Sequence, residues 1–441
     1  MNLWRPFMIR WFVLPVIIIL YPFYGLAQGL PEPLTLEAAL KYADNSDHYQ
    51  VNLSDQSIKE SIAASEQTES INGIKVNLSG QIRQVGIPST SNTTEENDSA
   101  LHLFVRKPLY DFGKSSRRES LAELNVELKQ LERQYLIEQR ELSITQKYFD
   151  VLNADNDFIR QNEDLSIWFI RMDRTRERKE LGLASDLEVL ESQAVYEVVR
   201  QARYNSEHLQ RLSRTLLAEE LGFPNTPPNN MSTPELRSAT KITDDVESLI
   251  KQAYQHSLKM AIQQKQLIIS KKELEIAEDV SGPKIEAELQ VSDYARPSVY
   301  RDDWRASIYF DVPLYDGSAE KSAKKQALAR YQQSLAELQK MRSDIRLTVL
   351  QLWQSILQSS LRLSGNIINQ DYRDMYLDRS RAEYELEFQT DLGDAMVQYS
   401  NSRKQMYQSR YDLELAWRKL EKLVGREYLD QLKTSKVTEA Q

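Results

Sequence analysis

At 441 residues the chain is long enough to bury a large core. With 13 Gly, 14 Pro, 27% charged and 41% hydrophobic residues, however, it reads as long one-sided helices rather than a compact globule. A net charge of −9 makes it a poor partner for nucleic acid, and the absence of cysteine excludes a disulfide framework.

Residues 1–27 read as a secretory signal peptide, with Arg5 and Arg10 early, an apolar run from Trp11 to Leu20, and Gly25-Leu26-Ala27 as a cleavage site. That run is about half the length of a spanning helix and contains Pro15, which argues against a membrane anchor. Cleavage would remove two arginines and no acids, taking the net charge to −11.

A first structural repeat is expected over 28–222. Thr35 caps a helix running from Leu36 toward Ile71, and Gly73 ends it. Period-two alternation follows. Val76, Leu78 and Ile82 alternate with Asn77, Ser79, Gln81 and Arg83, and Leu101, Leu103 and Val105 with His102, Phe104 and Arg106. The polar loop from Pro88 to Ser99 makes 75–106 a β-hairpin. Residues 114–180 are almost free of Gly and Pro. Leu121, Leu124, Leu128, Leu131, Tyr135 and Leu142 recur there at threes and fours, so one helix of ~100 Å is predicted. A tip near 180–186 leads into a return helix over 186–221.

The turn-rich run from Pro224 to Asn230 marks a linker over 223–242, after which the pattern repeats over 243–425. A helix runs from Thr243 toward Val280, followed by a hairpin over 285–312. Long helices follow at 318–386 and 391–424 with a tip near 385–391, and a tail at 426–441. Pro108-Leu109-Tyr110-Asp111 recurs as Pro313-Leu314-Tyr315-Asp316. Arg174-Thr175-Arg176 recurs as Arg379-Ser380-Arg381, and Asp186-Leu187 as Asp391-Leu392, all at one offset of 205 residues. A constant offset across three landmarks signals tandem duplication.

No stretch after residue 30 is apolar enough for a membrane helix, so only the four strands could cross a bilayer. Each is about 10 residues, the length a tilted strand needs. Tyr110, Tyr294, Trp304 and Tyr315 lie near strand ends, where an aromatic belt would sit. Four strands cannot close a barrel, so copies must combine; two, three or four chains satisfy the physics, and three would give 12 strands around a wet lumen. The expected class is mainly α with a transmembrane β-barrel portion.

Nothing points to catalysis, a metal or a cofactor. His48, His102, His208 and His256 are scattered, and neither a nucleophile elbow nor a phosphate-binding glycine loop is present. Two rivals to a channel are a periplasmic adaptor and an exported soluble coiled-coil structural protein. The first needs a Gly- and Val-rich barrel region that the chain lacks. The second has no use for four duplicated amphipathic strands.

The order helix, hairpin, long helical pair, repeated once, resembles the TolC family of outer-membrane efflux proteins over essentially the whole mature chain. The resemblance rests on Leu34-Thr35-Leu36-Glu37-Ala38-Ala39-Leu40, on Pro-Leu-Tyr-Asp at 108 and 313, and on residues 182–190, Gly-Leu-Ala-Ser-Asp-Leu-Glu-Val-Leu. It implies a homotrimer with a 12-stranded outer-membrane barrel and a periplasmic helical tunnel, serving tripartite efflux or type I secretion. It further implies an adaptor protein and an inner-membrane pump as partners, with Leu181, Gly182, Leu183 and Ala184 as the docking tip. The second tip departs from the family pattern, carrying Glu387 where Gly is usual. Glu188 and Glu191 fall where some relatives narrow the pore. In the second half the matching positions hold Gly393 and Met396, with Asp391 and Asp394 two residues earlier, so these four acids are the gate candidates.

Overall fold

The computed structural model describes residues 30–86, 96–236, 245–278, 282–296, 301–315, 317–386 and 392–425. The signal segment 1–27, the tail 426–441, linker residues 237–242 and second-tip residues 387–391, including Asp391, lie outside the described residues. In chain order the elements are α1 (Leu36–Leu40), a 3-10 turn (Lys41–Asp44), α2 (Tyr49–Ser70), β1 (Lys75–Gln81), β2 (Ala100–Tyr110), α3 (Lys114–Glu180) and α4 (Asp186–Leu221). There follow α5 (Val246–His256), α6 (Leu258–Glu278), β3 (Lys284–Tyr294), β4 (Trp304–Asp311), α7 (Ala319–Glu385) and α8 (Leu392–Val424).

Helices α3 and α7 each hold 67 residues and reach ~100 Å. Helix α4 folds back along α3 and α8 along α7, while α6 touches both α3 and α7, and α8 packs on α3. The halves thus share one bundle. No helix among the described residues is long and apolar enough to cross a membrane.

Two apolar cores stabilise it. One gathers Leu249, Ile345, Val349, Ile356, Leu420 and their neighbours from α5, α7 and α8. The other gathers Leu34, Ile144, Tyr148, Leu217 and Leu221 around the start of the first half. Tyr411 of α8 belongs to the second core and stacks on Phe149 of α3 at 4.8 Å, joining the halves. Along the same α3–α8 seam, Lys422 pairs with Glu141, and Lys404 Nζ lies 2.5 Å from Asp157.

The strand-to-helix junctions are duplicated in backbone as well as sequence. Phe112 and Gly113 both have positive φ, 58° and 83°, and at the same offset Gly317 and Ser318 have 69° and 73°. Two successive left-handed residues re-aim the chain from sheet into helix. Glycine relieves one residue of each pair, leaving Phe112 and Ser318 with a cost of roughly 1–2 kcal/mol each. The Asp111 carboxylate then accepts a 2.7 Å hydrogen bond from the Ser115 backbone N–H, satisfying an otherwise open donor of the first turn of α3.

The helix expected to run unbroken from residue 36 to 71 is divided between Asn45 and His48, and its counterpart is divided at Ser257. A buried arginine accounts for the first break. Arg140 of α3 is 1% exposed, and its Nε donates to the carbonyl of Ala43 at 2.8 Å while Nη2 donates to that of Glu220 at 2.9 Å. The carbonyl of Ala43 is available because no α-helix continues past it. Arg140 Nη1 also lies 2.6 Å from His48 Nδ1 and 2.9 Å from Nε2, and Nδ1 accepts from the Gln50 backbone N–H and so caps α2. An Nδ1 that accepts a hydrogen bond belongs to a neutral imidazole.

Burial first, and then the Arg140 charge, holds His48 below its ordinary value of 6.5; Lys147 acts the same way, while Glu219 and Glu220 oppose it. Glu220 stays ionised against its own burial because Lys147 and Ser143 donate to it. Below pH 6.5 the unfolded chain therefore takes up a proton that the folded chain refuses, and stability falls with pH. The slope is bounded by about 1.4 kcal/mol per pH unit for one proton. Thermal unfolding followed by circular dichroism between pH 7.5 and 5 should show this slope in the natural chain. His48→Gln should flatten it.

Candidate channel face and docking tip

The strands form one antiparallel sheet in the order β1-β2-β3-β4, so the hairpin of each half lies side by side with the other. Register sorts the side chains into two faces. Val76, Val105, Leu289 and Ala306 form one row, and Leu78, Leu103, Val291 and Trp304 the next. On the opposite face Lys75, Arg106, Glu288 and Ser307 are aligned, as are Ser79, His102 and Ser292.

Exposure is inverted relative to a sheet built for water. Leu78 is 68% exposed and Ile308 73%, whereas Ser292 on the polar face is 7% exposed. Along β2 and β3 the apolar phase is mostly bare, while the polar phase is largely half-buried and bonded within itself. His102 lies 2.9 Å from the Ser292 hydroxyl, Gln290 donates to that hydroxyl at 2.9 Å, and Tyr309 donates to Glu288 at 3.2 Å. From Ile285 to Asp293 the apolar side of β3 extends ~27 Å along the strand, or about 20 Å at a 40° tilt, close to the apolar band of outer-membrane barrels. Lys107 and Asp293 share this phase and lie toward its two ends. Strands β1 and β4 each have one unpaired edge.

Register also moves one expected residue. Tyr294 shares the phase of Ser292 and Gln290 and meets His102 edge-on at 5.4 Å, so it belongs to the polar face rather than to an outer aromatic belt.

At the far end of the bundle, α3 stops on a glycine-dependent turn. Gly182 has φ +75, its N–H donates to the Lys179 carbonyl at 2.9 Å, and the Leu183 N–H donates to that of Arg178 at 2.7 Å. This double bond pattern is the Schellman ending, which needs a left-handed residue. Ser185 then starts α4 with a reciprocal capping box to Glu188. Leu181 and Leu183 are 73% and 65% exposed, and Leu187 and Leu190 continue this bare apolar surface along α4.

The gate candidates separate in this arrangement. The Glu188 carboxylate accepts from the Ser185 N–H at 2.6 Å and from its hydroxyl at 2.9 Å, bonds that hold it below the usual carboxylate range. It is committed to the helix cap. Glu191 lies exposed one turn on. Asp394 is exposed near the start of α8, and its charge reaches Asp164 across the α3–α8 seam. Asp164 is pushed up chiefly by burial, with a smaller contribution from Asp394. Asp391 is outside the described residues. Among the described residues no group of three or more His, Asp or Glu could hold a metal ion.

No family model matches the chain, and no curated protein does. Solved structures do. The outer membrane protein VceC from Vibrio cholerae is similar at a TM-score of 0.69 and 15% identity, over 88% of this chain and 96% of that one. The Campylobacter jejuni CmeC outer membrane channel gives 0.69 at 13% identity, over 88% and 85%. The open state of the Neisseria gonorrhoeae MtrE outer membrane channel gives 0.67 at 11%, over 88% of each chain. The chain has an outer-membrane channel fold. The TolC-like resemblance carried by its motifs thus holds at the level of architecture.

One group escaped the sequence reading. Asp98 is 3% exposed beyond the start of β2, and it pairs with Arg83 of its own hairpin and with Arg301 of the other at 2.6 Å, while Arg296 lies 3.9 Å away. Nothing local marks such a clasp, because its partners lie about 200 residues apart.

The tip turn is testable in isolation. No atom would meet a Cβ at Gly182, so Gly182→Ala isolates the left-handed backbone cost of about 1 kcal/mol. Hydrogen exchange at Leu181 to Leu183 should accelerate about fivefold, and Gly182→Asn should restore most of the protection.

Proposed function

We propose that this protein is an outer-membrane exit duct, a passive and non-enzymatic channel carrying substrates outward in a tripartite efflux or type I secretion system. The observation that carries the reading is the exposure of the sheet, with the apolar side mostly bare and the polar side half-buried along the two central strands. A bare apolar face of this extent is unfavourable in water, at roughly 25 cal/mol per Å², and neutral against lipid tails. The two open edges then require other copies of the chain, since lipid offers no hydrogen-bond partner for strand backbone.

Three copies supply 12 strands, with the Arg106, Glu288 and His102 side facing a wet lumen. The long helices continue the lumen through the periplasm. At their end Leu181, Gly182, Leu183 and Ala184 form the surface on which a periplasmic adaptor docks, joining the duct to an inner-membrane pump. Repeated threefold, Glu191 and Asp394 become rings that favour cations and narrow the entrance. Glu188 shapes the tip rather than the ring.

Two experiments test this. Leu289→Arg places a charge in the middle of the lipid face at about 2–4 kcal/mol per chain, so the amount of protein inserted in outer membranes should fall steeply; Ser79→Arg, on the lumen face, should leave it unchanged. Both variants behaving alike would reject the assignment of faces. The trimer reconstituted in a planar bilayer should pass K+, and Leu183→Glu should abolish in-cell crosslinking to the adaptor without altering that current. A monomer that leaves bilayers silent would end the channel reading.

A further inference from the structure

The segment that follows the first half closes over that half. Gly222, with φ +86, packs against His48, and the chain beyond it returns to the start of α1. Phe223 meets Tyr42 edge-on at 5.1 Å, and Met231 joins the core around Leu34 and Tyr148. The Leu34 N–H donates to the Asn230 carbonyl at 2.9 Å, and the Ser232 N–H donates to the Leu34 carbonyl at 3.0 Å. The buried Tyr148 hydroxyl of α3 lies 2.6 Å from the Ser232 carbonyl and 2.8 Å from that of Leu34.

The second half repeats this frame. Gly425 also has φ +86, and a Cβ there would meet the His256 ring at 3.3 Å. A left-handed glycine after the last helix thus sits again on the histidine at the break between the first two helices of its half. Trp353 stands in α7 where Tyr148 stands in α3, since 353 − 148 is the duplication offset of 205. The Trp353 ring packs on the α5–α7–α8 core and is only partly covered. Its indole Nε1 is buried without a hydrogen-bond partner among the described residues. Buried indole N–H groups are normally paired, so this one is short of an acceptor.

The chain after Gly425 is long enough to bring one. Ser232 lies ten residues beyond Gly222, and 441 − 425 = 16 residues follow Gly425. They include Tyr428, Leu429 and Leu432, apolar side chains that can serve as Phe223 and Met231 do in the first half. We propose that residues 426–436 fold back over α5 and α7 of the same chain, seat Tyr428 and Leu429 beside Trp353, and give a backbone carbonyl to its Nε1. The tail then closes the second half as the linker closes the first, and ties the short helix α5 to the long helix α7. The contact is made within one chain, so it does not depend on the channel reading.

The test uses the full chain in isolated outer membranes with Tyr428 replaced by p-benzoylphenylalanine. Irradiation should link position 428 to tryptic peptides of α5 or α7, in a product that runs as a monomer on a denaturing gel. A product that runs as a dimer assigns the tail to a neighbouring copy and overturns the proposal, and so does a link to any other element or none. Trp353 gives a second readout, with Trp353→Phe supplying the background to subtract. A stop after Gly425 should shift Trp353 emission to longer wavelength and raise its quenching by acrylamide. If the shortened chain does not fold, Tyr428→Ser with Leu429→Ser in the full chain should give the same shift. Unchanged Trp353 emission in a folded variant overturns the strap.

Discussion

Everything in this molecule answers to the backbone edges of a four-stranded sheet whose apolar face is bare. Each unpaired peptide group costs several kcal/mol in lipid, so in the proposed duct, with Leu78 and Ile308 toward hydrocarbon, the outer edges of β1 and β4 could not remain open. On that reading assembly would be a condition of membrane insertion rather than an addition to it. The duplication makes this economical. Two hairpins from one chain lie side by side through β2 and β3, so each copy contributes four strands while exposing only two edges.

The helical part solves a different problem with the same duplicated plan. Two 67-residue helices have too little apolar surface of their own to be stable alone, and each is supported by a returning partner and by α6, which touches both. Polar anchors fix the register where apolar packing alone would allow sliding. Arg140 ties the 3-10 turn, α3 and α4 together, and the Lys422–Glu141 and Lys404–Asp157 pairs with the Phe149–Tyr411 stack fix α8 against α3. Removing a partner of the buried Arg140 leaves its charge uncompensated, whereas the partly exposed Lys422 and Lys404 pairs serve to specify position.

Much of this was legible in the sequence because the determining signals are local and periodic. Leu78 alternating with Asn77 and Ser79, and leucines recurring at threes and fours from Leu121, report strand and helix directly, and the offset of 205 residues reports the duplication. The break at His48 was not legible, since its cause is an arginine 92 residues away. The second left-handed residue at each junction escaped notice too, because glycine marks only one of the two positions. Tyr294 was placed on the wrong side because its face depends on its pairing with Ala100, which period-two reading near a strand end does not determine.

Among the gate candidates, hydrogen bonding separates residues that composition treats as equal. Glu188 and Glu191 are one helical turn apart on α4, yet Glu188 is held by its own N-cap, so moving it into a lumen would open the first turn of α4. Glu191 carries no such obligation. In the second half Asp394 adds only a small contribution at Asp164, which burial pushes up and the Arg160 and Arg171 charges oppose.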